Sequence, residues 1–108
     1  MPIHNKLVRD RIPEVIEKTG KTFTTRILEK EEYIVELRKK AFEELEEYMS
    51  TTNDADAVEE LADLLEIIHA LGDYHNVSFD QIEAVRKSKA EKRGGFKERI
   101  YLIEVEDE

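Results

Sequence analysis

Glu44 and Glu47 fall in the run Glu43-Glu44-Leu45-Glu46-Glu47, and Glu60 and Asp63 fall in Glu59-Glu60-Leu61-Ala62-Asp63. Helical residues three apart share a face, so each pair sets two carboxylates side by side. Like charges so placed weaken an isolated helix by about 0.2–0.5 kcal/mol per pair. Four carboxylates brought to one point cannot all stay charged and unpaired. Protons, cationic side chains or a metal ion must intervene. A donor set made of carboxylate oxygens alone, without His or Cys, suits Mg2+ or Mn2+. Mg2+ keeps several waters and is commonly completed by phosphate oxygens. A water beside such an ion, or held by a spare carboxylate, is a natural nucleophile, and Glu43 is a candidate for that spare role. The competing reading is a solvated acidic face, which fits Glu43, Glu46 and Glu59. It fits Glu60 and Asp63 less well, because they interrupt the most apolar stretch of the chain and burying a lone carboxylate costs several kcal/mol.

The elements that must carry these groups follow from periodicity and caps. Asp10 is the expected cap of a short helix over residues 11–18, with Pro13 in its first turn and Gly20 beyond its end. Residues 21–27 are β-branched and read as an extended connector. From 29 to 49 the apolar positions Tyr33, Ile34, Leu37, Ala41, Leu45 and Tyr48 or Met49 recur at helical steps. A polar link, Ser50-Thr51-Thr52-Asn53, precedes a helix over 54–73 whose centre is apolar on nearly every side, the mark of a central element. Gly72 and Asn76 punctuate its end. Ser78 and Gln81 form a capping-box pattern for a helix over 78–93, closed by Gly94-Gly95. Residues 99–105 are strand-like and run into an acidic tail.

The expected fold is therefore all-α: a bundle built on a helical hairpin, with one short and three longer helices and a short extended segment near the C-terminus, in a single domain spanning residues 1–108. The short link makes the two central helices antiparallel neighbours. Glu47 then stands near the height of Glu60, and Glu44 near that of Asp63, within about one turn or ~5 Å.

Composition narrows the function. The chain has 108 residues and a net charge of −9. Residues 29–66 hold 14 acidic and 4 basic groups, net −10, whereas residues 84–99 hold seven basic and two acidic ones, net +5. That balance speaks against general nucleic-acid binding, which needs a dominant basic surface. The absence of cysteine removes thiolate chemistry and suits a cytoplasmic setting. No stretch is long and apolar enough for a membrane span, and the opening Met1-Pro2-Ile3-His4-Asn5-Lys6 does not read as a signal peptide. His69 lies on a largely apolar helix and reads as a core or interface histidine, while His4 and His75 read as surface residues. Glu66 either extends the acidic row or pairs with a basic residue.

Two basic segments flank the acidic centre. Lys6-Leu7-Val8-Arg9-Asp10-Arg11 precedes a helix start, a setting that can hold phosphate. Lys92-Arg93-Gly94-Gly95-Phe96-Lys97 offers cations, free backbone N–H groups and an aromatic ring, although a helix end explains its glycines equally well. Lys6, Arg9, Lys92 and Arg93 are the candidate phosphate-binding residues.

Glu43-Glu44-x-x-Glu47 followed by Glu60-x-x-Asp63 resembles the signature of the all-α nucleoside triphosphate pyrophosphohydrolases, the superfamily of MazG, dimeric dUTPases and phosphoribosyl-ATP pyrophosphohydrolase. The run from Lys6 to Glu14 and the run from Lys92 to Phe96 resemble the opening and closing segments of its small single-domain, house-cleaning branch. The resemblance implies Mg2+-dependent cleavage between the α and β phosphates of a nucleotide, giving a monophosphate and pyrophosphate. It implies Glu44, Glu47, Glu60 and Asp63 as metal ligands, Glu43 as helper to a second metal or to water, and a homodimer or homotetramer. Ile67 stands where some members carry a polar residue, often Asn, that touches the sugar or base, so base selectivity does not transfer. Two further functions stand beside this one: the phosphoribosyl-ATP step of histidine synthesis, and a non-catalytic helical module whose acidic face binds a basic partner.

Overall fold

Four helices form among the described residues: α1 (Ile12–Lys18), α2 (Lys30–Met49), α3 (Asp54–Tyr74) and α4 (Phe79–Arg93). They are seen in a computed structural model that describes residues 3–107. Met1 and Pro2 of the opening and Glu108 of the acidic tail lie outside the described residues. The fold is all-α, and no strand occurs among the described residues.

The hairpin is set by its link. Asn53 has extended backbone and its side chain accepts the Asp56 backbone N–H at 2.9 Å, which starts α3 within a few residues of the end of α2. An N-cap of this kind satisfies an amide that no helical carbonyl can reach. α2 then packs along α3, and α4 touches α3 alone. Gly72 makes the second junction possible: a Cβ there would stand 2.9 Å from Ile82 Cδ1 and 3.1 Å from the Val77 carbonyl oxygen. Gly72 is thus a buried contact point inside α3 rather than its terminator, and Asn76, at φ 61°, makes the turn instead.

The capping box at α4 forms as its sequence predicts. The Gln81 N–H reaches Ser78 Oγ at 3.2 Å, and the Ser78 N–H reaches Gln81 Oε1 at 2.7 Å. Ser78→Ala is expected to cost about 1 kcal/mol. By thermal melt that lowers Tm by roughly 4 °C; an unchanged Tm would show that α4 does not depend on its cap.

Three sequence expectations are corrected. Asp10 does not cap α1: residues 9–12 close a turn through Ile12 N–H to the Arg9 carbonyl at 3.0 Å, which leaves Arg11 at the N-cap with no side-chain bond. Residues 99–105 carry strand-forming side chains but make no strand, because no neighbouring edge is offered; Ile100, Tyr101, Leu102 and Ile103 are exposed. On α2 the buried stripe runs through Ile34, Leu37 and Glu44, while Leu45 and Met49 face outward.

The resulting core is thin. Ile34, Leu37 and Ile67 are the buried hydrophobic side chains among the described residues. α3 lies between α2 and α4, but its Val58, Leu61 and Leu65 are exposed, and so are Val35, Phe42, Leu45 and Met49 of α2. Each set recurs at helical spacing and forms one uncovered apolar stripe. The radius of gyration is 18.7 Å, against about 13 Å for a compact domain of this length. No helix is long and apolar enough to cross a membrane.

Candidate metal centre

The hairpin brings three carboxylates to one point. One oxygen from each of Glu44, Glu47 and Glu60 lies within 4.8 Å of the other two. Glu44 faces α3 from the last turns of α2, on the stripe of Ile34 and Leu37, so it occupies a core position in place of an apolar side chain. Its side chain is only 9% exposed. Glu60 is half-buried and Glu47 is exposed at the rim. The Oε2 atoms of Glu44 and Glu60 are both buried without a hydrogen-bond partner.

Carboxylate oxygens are acceptors only, so two of them facing each other need a proton or a cation between them. The charges respond as that requires. Burial is the leading cause that pushes the Glu44 carboxyl up to about 7, followed by Glu47 and by the charge of Asp63. Glu60 is also raised, again by burial first and then by Glu47. The helix dipole opposes this arrangement too. α2 ends on Glu43, Glu44, Glu46 and Glu47 with no basic residue in its last turn, where the helix pole is negative and cations are the stabilising charges. The hairpin thus holds a concentrated, partly desolvated negative site with two orphaned oxygens. That donor chemistry fits a hard divalent cation held by Glu44, Glu47 and Glu60.

Asp63, the fourth carboxylate, stands beside this triad rather than in it. Its Oδ1 accepts from Arg9 Nη2 at 2.6 Å. Glu43 lies at the exposed rim, 3.4 Å from Lys40 Nζ, and the same Nζ is 3.8 Å from Glu44 Oε1. Glu43, Glu46, Glu47, Glu60, Lys40, Ser50 and Lys6 line a hollow of about 500 Å3. Lys6 and Arg9 therefore approach the carboxylates from the segment before α1, Lys6 at the hollow and Arg9 at Asp63. Lys92 and Arg93 line a different hollow, of about 420 Å3, with Ala84, Val85, Ser88 and Lys89 of α4.

Lys40 is the site residue that the sequence reading missed. Its spacing of three and four residues before Glu43 and Glu44 was the available signal, since such pairs meet on a helix. His69 is exposed rather than buried in a core; its ring stacks on Phe79 with centroids 4.1 Å apart. His4, His75 and Glu66 are exposed. Ile67 is buried one turn after Asp63 and serves packing, with no polar group to offer a ligand.

Fold and site together define a small all-helical protein whose hairpin carries a partly buried acidic triad. No family model matches the chain, and no match was found among curated proteins or solved structures.

Proposed function

We propose that the chain is a cytoplasmic, Mg2+-dependent nucleoside triphosphate pyrophosphohydrolase of the MazG-like all-α superfamily, cleaving the α–β phosphate bond to give a nucleoside monophosphate and pyrophosphate. The observation that carries this reading is the pair of buried, unpartnered Oε2 atoms of Glu44 and Glu60, converging with Glu47. Basic side chains border the same carboxylates, so an anionic ligand beside the cation meets complementary charge. The nucleotide as substrate is carried by the resemblance of the acidic and flanking basic motifs.

In this reading Glu44, Glu47 and Glu60 hold the ion, and Mn2+ serves as well as Mg2+ because the ligands are hard oxygens. The ion supplies Lewis-acid stabilisation of charge on phosphate oxygens. Lys6 and Arg9 bind those oxygens and orient the chain of phosphates. Glu43, at the rim of the hollow, holds a water by hydrogen bond and takes its proton as the water oxygen bonds to phosphorus. The bridging P–O bond breaks and its electron pair leaves with pyrophosphate. Lys92 and Arg93 act only if a partner subunit brings α4 to a neighbouring site.

The reaction is tested by incubating the protein with a panel of ribo- and deoxyribonucleoside triphosphates and phosphoribosyl-ATP in millimolar Mg2+ or Mn2+. Pyrophosphate and a monophosphate are the expected products. Orthophosphate with a diphosphate would contradict the proposed bond, and no turnover at all would leave the acidic face as a binding surface for a basic partner.

A homo-oligomer belongs to the same proposal. The uncovered stripes on α2 and α3 and the extended 18.7 Å radius of gyration support a second copy burying the outer face of the hairpin. Light scattering is expected to give twice or four times the 12.7 kDa chain mass. A mass of one chain at tens of micromolar would overturn the oligomer.

A further inference from the structure

Asp63 follows Glu60 by one helical turn and presents its carboxylate on the same side of α3. Its charge is felt at Glu44 and at Glu60. It nevertheless stays outside the converging triad, and its Oδ1 is taken by Arg9 at 2.6 Å. Among the described residues this is the ion pair that joins distant parts of the chain, 54 residues apart; the other pairs lie within six residues.

Three features make the Arg9–Asp63 link exchangeable. Both side chains are well exposed, 58% and 39%, so water screens the pair and its net strength is small. Arg9 sits outside any helix, and α1, which follows it, packs against no other helix. A guanidinium also binds carboxylate and phosphate with the same forked geometry, so the group that now holds Asp63 is suited to phosphate oxygens. Lys6, three residues earlier, already lines the hollow of the triad.

We propose that Arg9 is a resident counter-cation that withholds Asp63 from the metal centre until a polyphosphate draws the arginine away, so that metal and anion bind cooperatively. The proposal rests on the metal-centre reading above. In the resting state the cation finds three carboxylates, with a positive guanidinium beside them. When the guanidinium turns to phosphate oxygens, Asp63 becomes a fourth oxygen donor and the repulsion between Arg9 and the ion is offset by the anion between them. Linkage makes the effect reciprocal: whatever the anion adds to metal affinity, the metal adds to anion affinity.

The test is a Mn2+ titration followed by electron paramagnetic resonance on the full chain, with no nucleotide present. Arg9→Ala is expected to bind Mn2+ about fivefold tighter than the unsubstituted protein, the effect of freeing one carboxylate and removing one nearby positive charge. Asp63→Asn alone is expected to change Mn2+ affinity by less than about twofold, yet to reverse the gain in the Arg9→Ala background, the signature of a coupled pair. At saturating Mn2+, Arg9→Ala is expected to bind inorganic triphosphate about tenfold more weakly. Unchanged or weaker Mn2+ binding by Arg9→Ala, or unchanged triphosphate affinity, overturns the handover while leaving the triad intact. Failure of the unsubstituted protein to bind Mn2+, or binding indifferent to Glu60→Gln, overturns the metal centre itself. Circular dichroism of each variant is expected to show the helices kept, given the exposure of the pair.

Discussion

Glu60→Ala is expected to lower pyrophosphate release by about two to three orders of magnitude, the range seen when one group that stabilises transition-state charge is removed. The reason is stoichiometric. Glu60 is the one member of the triad that α3 supplies, and it closes the site opposite Glu44 and Glu47 of α2. Glu44 and Glu47, one turn apart on α2, can meet a cation from one side only; Glu60, from the facing helix, would complete a chelating pocket. Glu47→Ala is expected to act in the same direction. Glu59→Ala is the control: it neighbours Glu60 in sequence, faces solvent and lies outside the triad, so its rate should match the unsubstituted protein. Full activity in Glu60→Ala, on any nucleotide that the unsubstituted protein turns over, would place the chemistry elsewhere.

The second large effect concerns stability and pH. Glu44 is protonated in the folded, metal-free protein up to about pH 7, because burial disfavours its charge and Glu47 and Asp63 repel it. Unfolded, it ionises near the ordinary glutamate value of 4.5. Between those pH values the folded state binds more protons than the unfolded one, so stability falls as pH rises from about 4.5 to about 7 and levels off above. The shift bounds the loss at about 3 kcal/mol, or on the order of 10 °C in Tm for a domain of this size. In a chelator, Tm is thus expected to drop between pH 5 and pH 7.5. Glu44→Gln keeps the shape and removes the charge, so its Tm is expected to be flatter over this range and higher than that of the unsubstituted protein at pH 8. Mn2+ is expected to restore Tm of the unsubstituted protein at pH 8, because binding only the folded state stabilises it, and Glu44→Gln is expected to lack that gain. A Tm that is flat with pH in the unsubstituted protein would show that Glu44 is not held protonated by burial in the folded state. If the triad holds a metal as proposed, stability of the metal-free fold and metal binding are opposed at this residue, as they are wherever a charge is buried for a ligand to neutralise.

Local signals carried most of the architecture. Asn53 and Ser78 cap their helices as their residue types predict, and the four-residue link between α2 and α3 forces the hairpin that joins Glu44 and Glu47 to Glu60. What escaped the sequence depends on choices that single residues do not record. The α2 stripe reads equally well through Leu45 or through Glu44 at adjacent positions, and hydrophobicity favours Leu45; only the packing of α3 turns Glu44 inward. The buried carboxylate is accordingly on α2, whereas the apolar surroundings of Glu60 and Asp63 had pointed to α3. Residues 99–105 have the composition of a strand, but a strand needs an edge to pair with, and composition does not say whether one exists. The Arg9–Asp63 contact spans 54 residues, beyond any periodicity. Leu45 and Met49 read as core in sequence yet are exposed, because apolar periodicity does not distinguish a face buried within one chain from a face left open.

The most direct test of the acidic triad as a metal centre is anomalous diffraction at the manganese edge from crystals grown with Mn2+ and a non-hydrolysable nucleoside triphosphate. The predicted result is a manganese peak about 2.2 Å from one oxygen of each of Glu44, Glu47 and Glu60, with phosphate oxygens and, once Arg9 has turned to phosphate, an oxygen of Asp63 completing the sphere. Nucleotide bound away from α2 and α3, or a triad that holds only water or a lysine at saturating Mn2+, would contradict it.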